Sequence, residues 1–351
     1  MTRFDKKEVG FDMSIVSDVP LGGGLSSSAS LEVAVAIFLE QILKVEVTPE
    51  DRALICQAAE HSFPGMPCGI MDQFISSCGQ KGNLLLIDCR SNKGELVPMN
   101  DPTVSIIVCN SNNKHELTGS EYPDRVRQCK EALAIIQGKY PEVKALRDAT
   151  VEQVESLKQE MDDVTYRRAI HVVSECDRVL ECKKALEAKD YKRVGQLLYQ
   201  SHESLKNNFE VSTPEIDTLV EIASQQPGVF GARITGGGFG GCIVCFVETE
   251  KAADVMKALE KEYKQKTGIN CSCFVTSPAD GARVLKAYEV DEAVKEEPVA
   301  EECHCVMKVA KCKSFWIGLA SGVLITSLLF AHQRKNYRCL LSVSYTHLTL
   351  P

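Results

Sequence analysis

The run Pro20-Leu21-Gly22-Gly23-Gly24-Leu25-Ser26-Ser27-Ser28-Ala29-Ser30 constrains this chain more than any other stretch. An apolar segment rich in Ile, Val and Met precedes it at 11–19, and apolar residues at buried-helix spacing follow through Leu31, Val33, Ala34, Ile37, Phe38, Leu39 and Ile42. The order reads as strand, glycine turn and hydroxyl-rich helix start. Glycines let a backbone approach a phosphate closely, and open N–H groups at a helix start point towards it with the positive end of the dipole. Serine hydroxyls add donors and can reach a Mg²⁺ held by a nucleotide. Taken alone, the run also fits a serine-capped helix after a tight turn. Three rival motifs fail. A Walker loop needs a Gly-Lys-Ser/Thr end, and no lysine stands there. A dinucleotide fingerprint would need glycine where Ser27 stands, and a nucleophile elbow would need a closing glycine where Ser28 stands.

Charge and thiols narrow the class. Lys plus Arg number 40 against 48 Asp plus Glu, a formal charge of −8. A mildly acidic surface argues against nucleic acid as the main partner. The 16 cysteines mostly stand singly in apolar runs, as in Ile106-Ile107-Val108-Cys109 and Ile243-Val244-Cys245-Phe246. That is the pattern of reduced, buried thiols in a cytosolic chain, not of a disulfide scaffold. The N-terminus is polar, with no apolar signal-peptide core.

Further along, 49–62 reads as a helix, 83–88 and 104–110 as strands, and 122–223 as helical with breaks at 138–141 and 207–214. Strand patterns return at 232–235 and 242–247, followed by a helix at 252–266 and a strand at 272–276. That order predicts an α+β layer.

Two further elements carry chemistry. Glu60 lies near the end of the 49–62 helix, and Asp72 follows a loop holding Pro64, Gly65, Pro67 and Gly69. Carboxylates so placed suit two jobs beside a phosphate: one binds Mg²⁺ through oxygen, and the other takes or orients the proton of an attacking hydroxyl. Either acid alone also fits a capping or surface role. The run Gly-Gly-Gly-Phe-Gly-Gly at 236–241 can bring N–H groups to an anion, or simply turn between strands.

In order along the chain, 19–30, 66–74, Glu121-Tyr122-Pro123 and 235–242 together closely resemble the galactokinase family, of the sugar and mevalonate kinase superfamily that includes homoserine kinase. The resemblance spans about 11–285. It implies ATP-dependent phosphorylation of the anomeric hydroxyl of D-galactose, with ATP and Mg²⁺ as cofactors and galactose and ATP as small-molecule partners. It also implies an α+β fold of two domains, nucleotide-binding over 1–100 and a second over 101–285, with the active site in the cleft between them. Carried over by position, Gly22, Gly23, Gly24, Ser26, Ser27, Gly237 and Gly238 would hold ATP. Ser28 and Glu60 would neighbour Mg²⁺, Asp72 would be the catalytic aspartate, and Gly69 and Tyr122 would join it at the sugar.

Members of the family also carry a Gly-Arg-Val-Asn-Leu-Ile-Gly-Glu-His-type motif, whose arginine stands beside the catalytic aspartate; this sequence contains none. The expectation is an N-terminally truncated enzyme whose isolated chain turns over little or not at all. The alternative is a non-catalytic regulator that binds sugar or nucleotide, or a membrane-tethered interaction module. Past Leu285 the composition changes. The stretch 286–313 reads as an acidic linker. The uncharged segment 314–333, with lysines before it and Arg334, Lys335 and Arg338 after, reads as a candidate membrane anchor on a cytoplasmic kinase domain. The tail 334–351 carries no usable pattern.

Overall fold

A computed structural model describes residues 10–20, 24–113 and 121–285. Gly22, Gly23, the linker and the candidate anchor at 314–333 lie outside them. Among the described residues no helix is long and apolar enough to cross a membrane.

Three helices come first: α1 (Ser27–Leu43), α2 (Pro49–Ser62) and α3 (Met71–Cys78). The start of α2 is written in its residues. Thr48 Oγ1 accepts the Asp51 N–H at 3.1 Å, Pro49 suits the first turn, and Glu50 and Asp51 face the positive end of the dipole. A buried ion pair joins all three helices. Arg52 of α2 donates to both carboxylate oxygens of Glu40 on α1, at 2.6 and 2.8 Å, and to Ser77 Oγ of α3 at 3.0 Å. An apolar cluster of Ala53, Ile70 and Phe74 lies between α2 and α3, and Val33, Ile37 and Phe38 of α1 are buried as well.

The hairpin β1 (Asn83–Asp88) and β2 (Lys93–Pro98) leads to β3 (Val104–Asn110). Helices α4 (Glu121–Lys139), α5 (Val151–Glu155), α6 (Asp163–Glu187), α7 (Tyr191–Ser204) and α8 (Pro214–Ser224) follow. The chain closes with β4 (Val229–Ile234), β5 (Cys242–Glu248), α9 (Ala252–Thr267) and β6 (Ser272–Thr276). These strands form an antiparallel sheet in the order β4-β5-β3-β6. Alternation sends Ile107, Cys109, Ile243 and Cys245 to one face, against Ile216 and Leu219 of α8 and Leu259 and Tyr263 of α9. Ile106, Val108, Val244 and Phe246 go to the other, against Leu186 of α6 and Leu197 and Leu198 of α7. Strands covered on both faces read as continuous apolar runs, which is how β3 and β5 were legible. Helix α7 meets β4 backbone to backbone: a Cβ on Gly195 would lie 1.8 Å from the Phe230 carbonyl oxygen, so only glycine fits.

Two expectations differ from the structure. Residues 11–19 form no strand; Ile15 is 54% and Val16 78% exposed, and no strand among the described residues pairs with them. Strand propensity is realised only where a neighbouring edge takes up the backbone N–H and C=O groups. Phe11 instead meets Phe38 edge-on, with centroids 5.2 Å apart. Strand β2 was not expected from sequence, because Val97 is its one buried residue and the alternation is too weak to read.

Candidate active site

Two glycine turns meet at the start of α1. Ser26, its N-cap, is left-handed (φ 52°, ψ 50°), its side chain caps no helix N–H, and the first turn holds no acid. The helix start therefore has neither a cap from the Ser26 side chain nor an acid against its positive dipole end, beside half-buried Ser27 and exposed Ser28. The turn 236–241, between β4 and β5, packs against it. A Cβ on Gly236 (φ 77°) would lie 2.8 Å from the Gly24 carbonyl oxygen, and one on Gly24 would lie 3.6 Å from Gly241 Cα. With no side chains in the way, the two backbones touch. The second turn is pinned from behind, where the Phe239 N–H donates to the Val211 carbonyl at 2.6 Å and the Arg125 guanidinium sits 5.6 Å from the Phe239 ring centroid. Gly24, Ser26, Ser27, Gly237 and Gly238 thus belong to two abutting turns, with Gly237 exposed.

The acidic residues gather on the adjoining helices. Asp72 stands in the first turn of α3. The loop before it is held at the Cys68 carbonyl, which accepts from Gln57 Nε2 at 3.2 Å and lies 2.8 Å from His61 Nε2. The Gly69 amide hydrogen-bonds the Tyr122 hydroxyl, and Tyr122 is pushed up by burial and by the nearby Cys68 and Asp72 charges. Gly69, Asp72 and Tyr122 therefore share one neighbourhood. A third carboxyl joins Glu60 and Asp72. Glu32 of α1 accepts from Gln73 Nε2 at 3.1 Å. Burial, a hydrogen bond with Glu60 and the charges of Glu60 and Asp72 push Glu32 up to about 8. Sequence reasoning missed Glu32; the available signal was its spacing of four from Ser28, which puts both on one face of α1.

Ser28, Glu32, Glu60 and Asp72 offer oxygen alone, the donor type of a hard divalent ion, and crowded carboxyls are what such an ion relieves. The three carboxyls do not close into a ready cage. That suits Mg²⁺, which takes one or two carboxylates and completes its shell with water and phosphate oxygens.

Comparison with known proteins decides the family. Residues 1–80 match the family described as GHMP kinases N terminal domain, and residues 182–265 match GHMP kinases C terminal. Homo sapiens galactokinase is 49% identical over 276 residues, which cover 79% of this chain and 68% of the relative. The chain belongs to the galactokinase family. A bacterial galactokinase from Mannheimia succiniciproducens is 44% identical over 279 residues, covering 78% of this chain and 71% of the relative. The crystal structure of Lactococcus lactis galactokinase complexed with galactose matches with a TM-score of 0.72 at 34% identity, over 75% of this chain and 68% of that one. Galactokinases are phosphotransferases, and the α+β kinase fold expected from the motifs is the fold observed.

Proposed function

We propose that the chain binds ATP and D-galactose side by side and transfers the γ-phosphoryl group to the anomeric hydroxyl, giving galactose 1-phosphate and ADP. One observation carries this reading: the two glycine turns abut at the start of α1, and that same helix reaches Glu60 and Asp72 through Glu32. The amides of the Gly22–Gly24 turn, the start of α1 and the 236–241 turn hold the phosphates, with Ser26, Ser27, Gly237 and Gly238 closest. One turn comes from each proposed domain, 1–100 and 101–285, so the reaction takes place in the cleft between them.

Ser28 and Glu60 hold Mg²⁺, with Glu32 hydrogen-bonded behind Glu60; the ion, when bound, neutralises charge on the phosphates. Asp72 takes the proton of the anomeric hydroxyl as that oxygen bonds the γ-phosphorus and the bond to the β-phosphate oxygen breaks. The Gly69 backbone and the Tyr122 hydroxyl orient the sugar ring beside it. Phosphoryl transfer asks chiefly for positioning and charge neutralisation, and these parts supply both. The twelve described cysteines are all free, which supports a reducing, cytoplasmic setting.

Mixing the full chain with ATP, Mg²⁺ and galactose, and following ADP, tests the reading. Galactose-dependent ADP release supports the assignment. Release that ignores galactose sinks it.

A further inference from the structure

A second donor set lies beneath the 236–241 turn, on the face of the sheet covered by α8 and α9. Strands β3 and β6 pair antiparallel with Cys109 directly opposite Cys273, so both side chains leave the same face. Cys271, two residues before Cys273, falls on that face by the same period of two. The three sulfurs lie within 4.8 Å of one another, with Cys109 and Cys271 buried and Cys273 half-buried. Cys273 Sγ is 3.0 Å from Cys109 Sγ. Among the described residues, no other three His, Cys, Asp or Glu side chains gather so closely. Cys182, Cys242 and Cys245, equally buried, join no such group.

We propose that Cys109, Cys271 and Cys273 form a three-thiolate site for one thiophilic d¹⁰ cation, Zn²⁺ or Cu⁺. Soft sulfur donors select these ions over Mg²⁺ or Ca²⁺. Metal–sulfur bonds of about 2.3 Å set ligand sulfurs roughly 3.8 Å apart, a spacing the observed grouping reaches with small side-chain shifts. As each sulfur–metal bond forms, the thiol gives its proton to solvent and no electron changes hands. β6 is an edge strand and Cys273 is half-buried, so an ion enters from the sheet edge without opening the core. Three sulfurs complete the shell of Cu⁺, whereas Zn²⁺ adds a water at that open side. The site would also stiffen the second glycine turn, since Ser111, two residues beyond Cys109, donates its N–H to the Gly241 carbonyl at 2.9 Å.

The test uses the full chain with Cys303, Cys305, Cys312 and Cys339 replaced by serine, so that thiols outside the described residues cannot report. The reduced, metal-free protein is titrated with Zn²⁺, with Cu⁺ and with Cd²⁺, each against a chromophoric chelator. The expected result is one tightly held ion per chain and a near-ultraviolet thiolate-to-Cd²⁺ absorption band. Cys273→Ser and Cys271→Ser should weaken binding at least tenfold and remove the band, as loss of even an outer-shell partner costs about 10–100-fold. Cys182→Ser should change neither, and circular dichroism checks that each variant is folded. Retention of Zn²⁺ or of Cu⁺ supports the site, and the tighter ion is its occupant. No retained ion, or retention equal in Cys273→Ser and the parent, overturns it.

Discussion

The α1–α3 layer and the four-stranded sheet each contribute one half of the proposed phosphate-binding cleft, and they are held together in different ways. In the layer, Val33, Ile37 and Phe38 of α1 and the small cluster of Ala53, Ile70 and Phe74 are buried, and the Arg52–Glu40–Ser77 contacts run between the three helices and fix how they lie. In the sheet, β3 and β5 bury apolar side chains on both faces. A buried ion pair adds little net stability but is costly to break, so it works as an orienting device, whereas apolar burial supplies the energy. The half of the proposed site that bears Ser28, Glu60 and Asp72 therefore takes its helix orientation from a buried ion pair as well as from packing, and the half that bears the 236–241 turn takes its own from packing.

Breaking each half should separate the two. Arg52→Met leaves Glu40 buried without its partner and should cost about 3–5 kcal/mol in denaturant unfolding. ATP affinity should fall with it, because the carboxyls of α1 and α2 lose their common frame. Adding Glu40→Leu should recover most of the stability. Leu219 is fully buried under the sheet, and Leu219→Ala should cost about 2–4 kcal/mol by opening a cavity. Below the unfolding transition, calorimetric ATP affinity should stay unchanged in this variant. Equal loss of affinity in both variants would erase the distinction.

Acid and base should also act differently on the two sides of the molecule, because a buried group of α6 and a half-buried group of α1 titrate with opposite sign. His171 of α6 stacks on Phe209 at 4.5 Å, with Nδ1 2.9 Å from Ser204 Oγ. Burial, with the charges of Arg178, Arg233 and Arg168, pulls it down to about 3 from an ordinary 6.5. The unfolded chain binds this proton first, so its contribution is whole above pH 6.5 and is lost as pH falls from 6.5 towards 3. Glu32, raised from 4.5 to about 8, works the other way. The folded chain holds this proton longer, so its contribution is whole below pH 4.5 and is lost as pH rises towards 8. Solvent access to the half-buried Glu32 makes this second slope the shallower one. Amide exchange against pH should show α6 and α7 loosening in acid and α1 loosening in base, with Glu32→Gln flattening the latter alone.

The smallest expected effect falls where the halves touch. Gly236→Ala places a methyl 2.8 Å from the Gly24 carbonyl oxygen at φ 77°. It should cost about 1–2 kcal/mol in stability while weakening ATP binding more than Leu219→Ala does.

What could be read beforehand follows the range of the forces involved. The bounds Pro49–Ser62, Asn83–Asp88, Val104–Asn110 and Ser272–Thr276 match the sequence reading, because caps, turns and continuous apolar runs are local signals. The segment 11–19 was misread as a strand because its pattern says nothing about an available partner edge. Glu32 went unnoticed because its company, Glu60 and Asp72, arrives on α2 and α3 through packing. The grouping of Cys109 with Cys271 and Cys273 depends on the β3–β6 register, which brings together residues 164 apart. The Ser26–Ser28 helix start was legible, but its contact with the 236–241 turn appears only in the fold.

The most direct test follows galactose 1-phosphate by ³¹P NMR when excess chain is mixed with ATP, Mg²⁺ and galactose, comparing wild type with Asp72→Asn. Wild type should form the product, and Asp72→Asn should form it at least about 100-fold more slowly with ATP affinity intact. Product formed at the same rate by both proteins would contradict the placing of the Asp72 carboxylate at the sugar hydroxyl.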